Sequence, residues 1–180
     1  MICVGRQGTV KMKFEKLTTS NGRWQNLLKD WAAQCQAYDE PFEDYASSTI
    51  PTLEDLANEP DHVRAGVYGL HDGQAYRTVC QANVASLPHT HGLTLRIRHI
   101  LVCPAYDFED VSEEELGTIM GQLLFSFHML SCSEMTADHI RIHLRSPMEM
   151  TYFRALAGYM AASEVVKKVE ARGAWIYLTK

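Results

Sequence analysis

Residues Leu93 to Tyr106 read LTLRIRHILVCPAY and contain a long β-type pattern. Apolar and polar side chains alternate over Leu93–Ile97, and the apolar run then becomes continuous over Ile100–Val102. Alternation is typical of a strand with one exposed face, whereas a continuous apolar run is typical of a strand covered on both faces. The pattern therefore predicts one long strand, Leu93–Cys103, that passes from a half-exposed to a fully buried position.

Two further strand patterns lie directly before the long strand. Val63–Leu70 and Tyr76–Ala85 are separated by His71-Asp72-Gly73, which is typical of a tight turn. A second turn sequence, Pro88–Gly92, leads into the long strand. Because short turns join antiparallel neighbours, the three strands are predicted to form an antiparallel meander.

The strongest helical pattern in the chain follows the long strand. Apolar side chains recur at helical spacing from Leu116 to Leu130, and Ser112 with Glu115 forms a capping-box sequence at the start. The next strand pattern is His139–Leu144. Because a helix separates the two strands, they are predicted to be joined by a crossover within a mixed sheet.

The two ends of the chain complete the order of elements. Ser146-Pro147-Met148-Glu149 combines three helix-start signals, so a helix is predicted from Ser146 to about Gly158. The other predicted elements are a strand at Val10–Leu17, a helix from Ser20 or Asn21 to about Tyr38, a short helix opened by a Thr52–Asp55 capping box and ended by Pro60, and closing strands at Val165–Ala171 and Ala174–Leu178 around Arg172-Gly173.

Two local motifs accompany this order of elements. Val102-Cys103-Pro104-Ala105-Tyr106 is similar to a V-x-P-x-Y strand end, and Thr151–Tyr159 is similar to an F-Y-x-x-L-G-F helix. Order and motifs together resemble the GNAT (GCN5-related N-acetyltransferase-like) superfamily, in which both motifs occur. The resemblance implies a single α/β domain over residues 1–180, with a central, mostly antiparallel twisted sheet flanked by helices.

The resemblance also implies how an acyl donor would be held. In the GNAT family the fourth strand separates from its neighbour, and the acyl-pantetheine chain makes sheet-like hydrogen bonds to the backbone in the gap. Acetyl-CoA or another acyl-CoA is therefore the implied co-substrate, and a plain central strand without a gap is the structural alternative. The residues implied for binding are Ile100, Leu101, Val102, Cys103, Gly117, Ser146 and Phe153.

Two residues are the catalytic candidates, Tyr152 and His99. The family's late tyrosine, which often protonates the leaving thiolate, aligns with Phe153, and a shift of one residue brings Tyr152 to that position. The asparagine that often precedes this helix is Ser146 here. His99 lies near the predicted gap, and an imidazole suits a general base for an ammonium substrate because its reference pKa is about 6.5. The alternative for His99 is a buried, hydrogen-bonded strand histidine.

The pyrophosphate-binding loop departs from the family pattern. In the family this loop reads Gln/Arg-x-x-Gly-x-Gly/Ala, and it lets backbone N–H groups at a helix N-terminus reach the phosphates. Here Asp107–Glu115 holds six carboxylates, and the first glycine is Gly117. Because Glu113–Glu115 already complement the helix dipole, we expect this helix end to repel an anion at pH 7.

Aromatic and acidic side chains follow the first predicted helix. In GNAT-like proteins this region helps to form the acceptor site, and such groups would suit a cationic amine; a solvated loop is the alternative. They are Tyr38, Asp39, Glu40, Phe42, Glu43, Asp44 and Tyr45.

Basic side chains line one face of a later predicted strand. One interpretation is a solvated or partly covered sheet face. The other is a basic strip beside the predicted acyl-CoA gap, which could bind phosphates in place of the family's pyrophosphate-binding loop. The residues are His139, Arg141, His143 and Arg145.

Bulk properties restrict the cellular setting. The net charge of −5 argues weakly against a general nucleic-acid binder. The five cysteines show no C-x-x-C spacing and are expected to be reduced thiols in the cytoplasm. No apolar run approaches a membrane span, and the N-terminus lacks a secretory signal pattern.

His89 and His91 could share a metal, but no third ligand is predicted nearby, so no metal site is predicted.

The sequence leaves more than one function open. The leading hypothesis is an acyl-CoA-dependent N-acyltransferase acting on a primary amine of a small molecule or peptide. The alternative is a GNAT-shaped binding or interaction protein without acyl transfer, which the acidic loop and Phe153 favour. An acyl-carrier protein as donor is disfavoured by the same loop, because such carriers are acidic. We leave open whether the chain forms a homodimer.

Overall fold

The structure, a computed structural model, describes residues 12–109, 111–144, 153 and 167–180. The strands are β1 Lys13–Leu17, β2 Ala65–His71, β3 Tyr76–Ser86, β4 Leu93–Val102, β5 His139–His143, β6 Lys168–Arg172 and β7 Trp175–Thr179. The helices are α1 Arg23–Ala37, α2 Ile50–Ala57, α3 Pro104–Phe108 and α4 Glu113–Cys132. This mixed α/β architecture confirms the predicted fold class.

The described strands form one sheet in the order β1-β2-β3-β4-β5-β7-β6. Every neighbouring pair is antiparallel except β4 and β5, which are parallel. The exception follows from chain order, because α4 lies between these two strands and returns the chain to the end at which β4 began. The predicted meander, the crossover and the closing hairpin are thus all present, and Gly173 forms the hairpin turn with a φ of 56°.

One face of the sheet packs against α4. Ile97 of β4 and Ile142 of β5 are fully buried there, together with Phe127 of α4 and Phe153. The apolar stripe predicted for the long helix faces this cluster. Its fully or almost fully buried members are Ile119, Met120, Leu123, Leu124, Phe127 and Leu130.

The opposite face packs against α1 and α2 over only half of its width. Trp24 and Trp31 of α1 are fully buried against Val67 of β2 and Val79 of β3. The indole Nε1 of Trp31 also donates a hydrogen bond to the Tyr76 carbonyl oxygen at 2.9 Å. This hydrogen bond fixes the position of α1 over the strands that precede β4.

The predicted capping box at Thr52 and Asp55 is wrong. Helix α2 begins earlier, at Ile50, with Thr49 as the N-cap residue. The Thr52 hydroxyl instead lies 3.3 Å from the Ser48 carbonyl oxygen, as expected of a threonine already inside the first turn. Sequence spacing alone could not distinguish a threonine at the cap from one in the first turn.

The N-cap predicted for the first helix is also wrong, whereas the one predicted for α4 is confirmed. Gly22, not Ser20 or Asn21, is the N-cap residue of α1, although Asn21 Oδ1 accepts a hydrogen bond from the Arg23 N–H at 3.0 Å. Ser112 caps α4 as predicted, because its Oγ accepts a hydrogen bond from the Glu115 N–H at 3.2 Å.

Some predictions fall outside the described residues. The helix predicted from Ser146 to Gly158 does so except at Phe153, as do the first residues of the strands predicted to begin at Val10 and Val165. The sequence did not predict the short helix α3 between β4 and α4. Among the helices that the structure describes, none is long and apolar enough to span a bilayer.

Candidate active site

The pairing between β4 and β5 stops part-way along β4. The parallel register runs from Thr94 and His139 to Ile97 and Ile142, whereas β4 continues to Val102 and still pairs with β3 there. Within the described parts of the chain, no strand pairs with Arg98–Val102 on the side away from β3. We call the place at Ile97 and Ile142 where β4 and β5 stop pairing the fork.

A β-bulge lies directly after the fork. His99 has a φ of 52°, in the left-handed region, and the β3–β4 register shifts between Val79 and Gln81. An extra residue in one strand bends it and increases its local twist. The bulge therefore gives a physical reason for β4 to leave β5 at this point, and it places the half-buried His99 beside the fork.

Backbone groups of β4 face the opening beyond the fork. The Cys103 N–H donates a hydrogen bond to the Arg77 carbonyl oxygen of the β3 side at 2.9 Å, and Leu101 is paired with Val79. Because backbone groups alternate sides along a strand, the N–H and C=O of Val102 point away from β3. Of the four strand residues implied for donor binding, Val102 thus faces the opening, and Leu101 and Cys103 are engaged by β3. Ile100 lies in the bulge and has no register partner on β3.

Aromatic side chains cluster at the end of β4, and we call Trp31, Tyr45 and Phe108 the aromatic wall. The Tyr45 hydroxyl lies 2.7 Å from the Val102 carbonyl oxygen and 2.8 Å from Asp107 Oδ2. Its ring packs edge-on to Trp31 and tilted against Phe108, with centroids 6.0 and 6.1 Å apart. Burial, followed by the charge of Asp107, raises the pKa of Tyr45, so the hydroxyl keeps its proton and acts as a hydrogen-bond donor.

Tyr38 extends this wall. Its ring packs on Phe108 with centroids 5.3 Å apart, and its hydroxyl donates a hydrogen bond to Glu109. The segment after α1 was predicted from resemblance to help form an acceptor site. Two of its seven predicted residues, Tyr38 and Tyr45, lie near the end of β4, beyond the fork.

The start of α4 is acidic in the structure as in the sequence. Glu113, Glu114 and Glu115 occupy the first turn and are exposed. Glu115 already has two partners, because its N–H is capped by Ser112 and its Oε1 accepts a hydrogen bond from the Tyr106 hydroxyl at 2.7 Å. This helix end therefore offers few free N–H groups to a phosphate and opposes it with negative charge.

The remaining predicted site residues are placed as follows. Phe153 is fully buried in the α4-side core, so its ring is a packing group. A Cβ added to Gly117 would meet nothing within 4 Å, so close packing does not require a glycine there. Tyr152 and Ser146 lie outside the described residues.

The basic strand is arranged as its alternation predicts. Ile140 and Ile142 are fully buried on the α4 side, and the half-buried His139, Arg141 and His143 point to the other face; Arg145 lies outside the described residues. Sequence analysis missed the aromatic partners of this strip, Trp175 and Tyr177 on β7. Their alternation with Ile176 and Leu178 was the signal that could have found them.

The histidines of the β3–β4 turn, His89 and His91, are exposed to solvent. The His91 carbonyl oxygen lies 2.8 Å from His139 Nε2. The part of the chain that the structure describes holds no group of three or more His, Cys, Asp or Glu residues suited to a metal ion.

Solved structures with this fold share little sequence with the chain. An N-acetyltransferase from Staphylococcus aureus Mu50 has a TM-score of 0.51 at 10% identity, with 94% of this chain and 97% of that chain covered. A chimeric spermidine N-acetyltransferase from Vibrio cholerae and hSSAT has a TM-score of 0.52 at 13% identity, with 93% and 95% covered.

An aminoglycoside 6'-acetyltransferase of type Ii has a TM-score of 0.52 at 10% identity, with 93% and 96% covered. No protein-family model and no curated protein matches the sequence. At these identities the similarity shows the fold alone.

Proposed function

We propose that this chain, which has the fold of the GNAT N-acetyltransferases, is an N-acyltransferase that moves an acyl group from acyl-CoA to a primary amine. The observation that carries the proposal is the opening beyond the fork, where Val102 directs its backbone N–H away from β3. An acyl-pantetheine chain carries amide groups that can pair with such strand backbone. Ile100 lies along the same unpaired stretch of β4, and its side chain is buried.

In the proposed reaction the neutral amine nitrogen attacks the thioester carbonyl carbon. The new C–N bond forms, the C–S bond breaks, the amine loses a proton and the CoA thiolate gains one. His99, beside the fork, is the proposed base, and Tyr152 is the proposed acid. Tyr45 is assigned neither role, because its hydroxyl already lies within hydrogen-bond distance of the Val102 carbonyl oxygen and Asp107 Oδ2.

The proposed donor site uses only some of the acyl-CoA-binding residues that the resemblance to the family implies. Ile100 and Val102 would supply backbone hydrogen bonds, while Leu101 and Cys103 hold that strand edge in place through β3. Gly117, Ser146 and Phe153 remain predictions from resemblance. The first turn of α4 does not fit a diphosphate, so we assign no binding contribution to it.

Replacing Val102 by proline is expected to weaken acetyl-CoA binding about tenfold while the protein still folds. Proline removes an N–H that faces the opening and not the sheet, and one hydrogen bond is worth about 0.5–1.5 kcal/mol. Isothermal titration with acetyl-CoA measures the change. Leu101→Pro is the matched control, because it removes an N–H that faces β3 and should lower the free energy of unfolding instead.

Turnover tests the catalytic step. Thiol release from acetyl-CoA should require both the protein and an added primary amine, and mass spectrometry should show the acetylated amine. The amines offered should include small amines such as those named for the similar structures, spermidine and an aminoglycoside, together with amino acids and peptides. Acetyl-CoA hydrolysis without any acetylated amine would contradict the proposed transfer.

A second candidate function is a GNAT-shaped binding protein without acyl transfer. It is favoured by the acidic first turn of α4 and by the buried Phe153 at the position that aligns with the family's tyrosine. Binding of acetyl-CoA with no amine-dependent thiol release would favour this candidate. We further propose that the protein acts in the cytoplasm.

A further inference from the structure

Half of one sheet face carries basic and aromatic side chains instead of an apolar layer. It is the face on which α1 and α2 pack, but their apolar contacts end at Val79 and Leu101. Beyond this limit, cross-strand partners on β4, β5, β7 and β6 line up in rows. We call two of these rows the basic face. The first row contains His143, Trp175 and Arg172, and Arg98 joins it through its contact with the Trp175 ring. The second row contains Arg96, Arg141, Tyr177 and Glu170.

The first row lies at the fork. Arg98 directly follows Ile97, the last β4 residue that pairs with β5. Its guanidinium carbon lies 5.7 Å from the Trp175 ring centroid, and the His143 ring packs on the same indole with centroids 4.6 Å apart. A group held by this row would therefore sit beside the proposed acyl-transfer site.

The second row brings like charges together. Arg96 and Arg141 are direct cross-strand partners, and like charges placed opposite each other destabilise a sheet. The Arg141 guanidinium stacks on Tyr177 at 4.8 Å and donates a hydrogen bond to Thr90 Oγ1 at 2.8 Å. Four arginines and one glutamate thus share this face in a chain whose net charge is −5.

The arginines nearest the fork lack anionic partners. Among the described residues, neither Arg98 nor Arg141 forms an ion pair with a carboxylate. The Nε of Arg98 is buried and has no hydrogen-bond partner. A buried guanidinium N–H left unpaired is costly, and a carboxylate or phosphate oxygen is the acceptor that best satisfies it.

We propose that the acceptor amine of this chain also carries an oxyanion, a carboxylate or a phosphate, that binds the basic face at Arg98 and Arg141. The inference rests on the proposed function for the amine end of the substrate. Successive rows on a sheet face lie about 7 Å apart, so an oxyanion on either row is within the reach of a small substrate whose amine lies at the fork. A polycationic amine would be repelled by the same arginines.

The first test is a titration with inorganic phosphate. Binding is monitored by NMR through the indole Nε1–H signals of the three tryptophans. Phosphate should shift the Trp175 signal and leave those of the buried Trp24 and Trp31 in place. Arg98→Gln and, separately, Arg141→Gln should each weaken phosphate binding about tenfold, whereas Arg98→Lys should retain part of it. Lys29→Gln, an exposed charge change on α1, is the control.

The second test compares matched acceptors by kcat/KM. A carboxylate site predicts a higher kcat/KM for L-phenylalanine than for phenethylamine. A phosphate site predicts a higher kcat/KM for O-phosphoethanolamine than for ethanolamine. The pair whose members differ shows which oxyanion the acceptor carries. Arg98→Gln should lower that ratio about tenfold. An unshifted Trp175 signal, or an equal loss in Lys29→Gln, would overturn the oxyanion site. Phosphate binding with equal kcat/KM for both members of each pair would overturn the acceptor assignment, and phosphate binding without any turnover would count against the proposed function alone.

Discussion

Replacing Glu113 and Glu114 together by glutamine is expected to tighten acetyl-CoA binding about thirtyfold. Both carboxylates lie in the first turn of α4. The proposed acyl-CoA would bring its diphosphate to this helix N-terminus if it is bound as the resemblance to the GNAT family implies. A charge pair about 6 Å apart near a protein surface is worth about 1 kcal/mol at an intermediate dielectric, so two removed repulsions give about 2 kcal/mol. Titration calorimetry at low salt measures the change.

The same substitution should lower stability. Glutamate in the first turn is favourable to the helix dipole by about 0.3–1 kcal/mol for each residue, so the free energy of unfolding should fall by about 1 kcal/mol in urea denaturation. Glu54→Gln with Asp55→Asn, two exposed carboxylates on α2, provides a control with the same change in net charge. Equal CoA affinity in the wild-type protein and in Glu113→Gln/Glu114→Gln would show that this charge is not what opposes the diphosphate.

Replacing Trp31 by phenylalanine is expected to lower the free energy of unfolding by about 3 kcal/mol. Trp31 is fully buried, and its Nε1 donates a hydrogen bond to the Tyr76 carbonyl oxygen. The smaller ring leaves a cavity under α1 and removes a partner from a buried carbonyl group. Urea denaturation monitored by far-ultraviolet circular dichroism measures the loss.

Trp24→Phe is the matched control on the same helix. Trp24 is also fully buried, but its Nε1 is a buried donor without a hydrogen-bond partner. The substitution opens a similar cavity while it removes an unsatisfied polar group, so the net loss should be only about 1 kcal/mol. Equal losses in the two variants would contradict the role assigned to the Trp31 hydrogen bond in fixing α1 above the sheet.

The fold could be predicted because its signals are local. The alternation and then continuous apolar run of Leu93–Cys103 identified β4, although Leu101 and Val102 are half-buried where the run predicted full burial. The apolar stripe behind Ser112 identified α4 with its correct N-cap. Tight-turn sequences such as His71-Asp72-Gly73 fixed the antiparallel meander. Each of these patterns reflects which side of one element is buried, and that is recorded in neighbouring residues.

Features that depend on two distant segments were harder to predict. The fork lies beside a bulge in which His99 has a left-handed φ. Histidine is enriched among the non-glycine residues that adopt this conformation, but the sequence does not show which histidine adopts it. The basic face depends on register between β4, β5 and β7, so Arg98 and Trp175 become neighbours only in the sheet. The acidic start of α4, by contrast, could be recognised in the sequence because those residues are consecutive.

Titration of the purified protein with acetyl-CoA by calorimetry tests most directly whether the fork holds an acyl donor. We expect saturable binding with a dissociation constant below millimolar, tightened by Glu113→Gln/Glu114→Gln and weakened by Val102→Pro. The opening beside β4 then accounts for binding despite an unfavourable helix end. Absence of binding at millimolar acetyl-CoA, in the wild-type protein and in Glu113→Gln/Glu114→Gln alike, would contradict a CoA-dependent function.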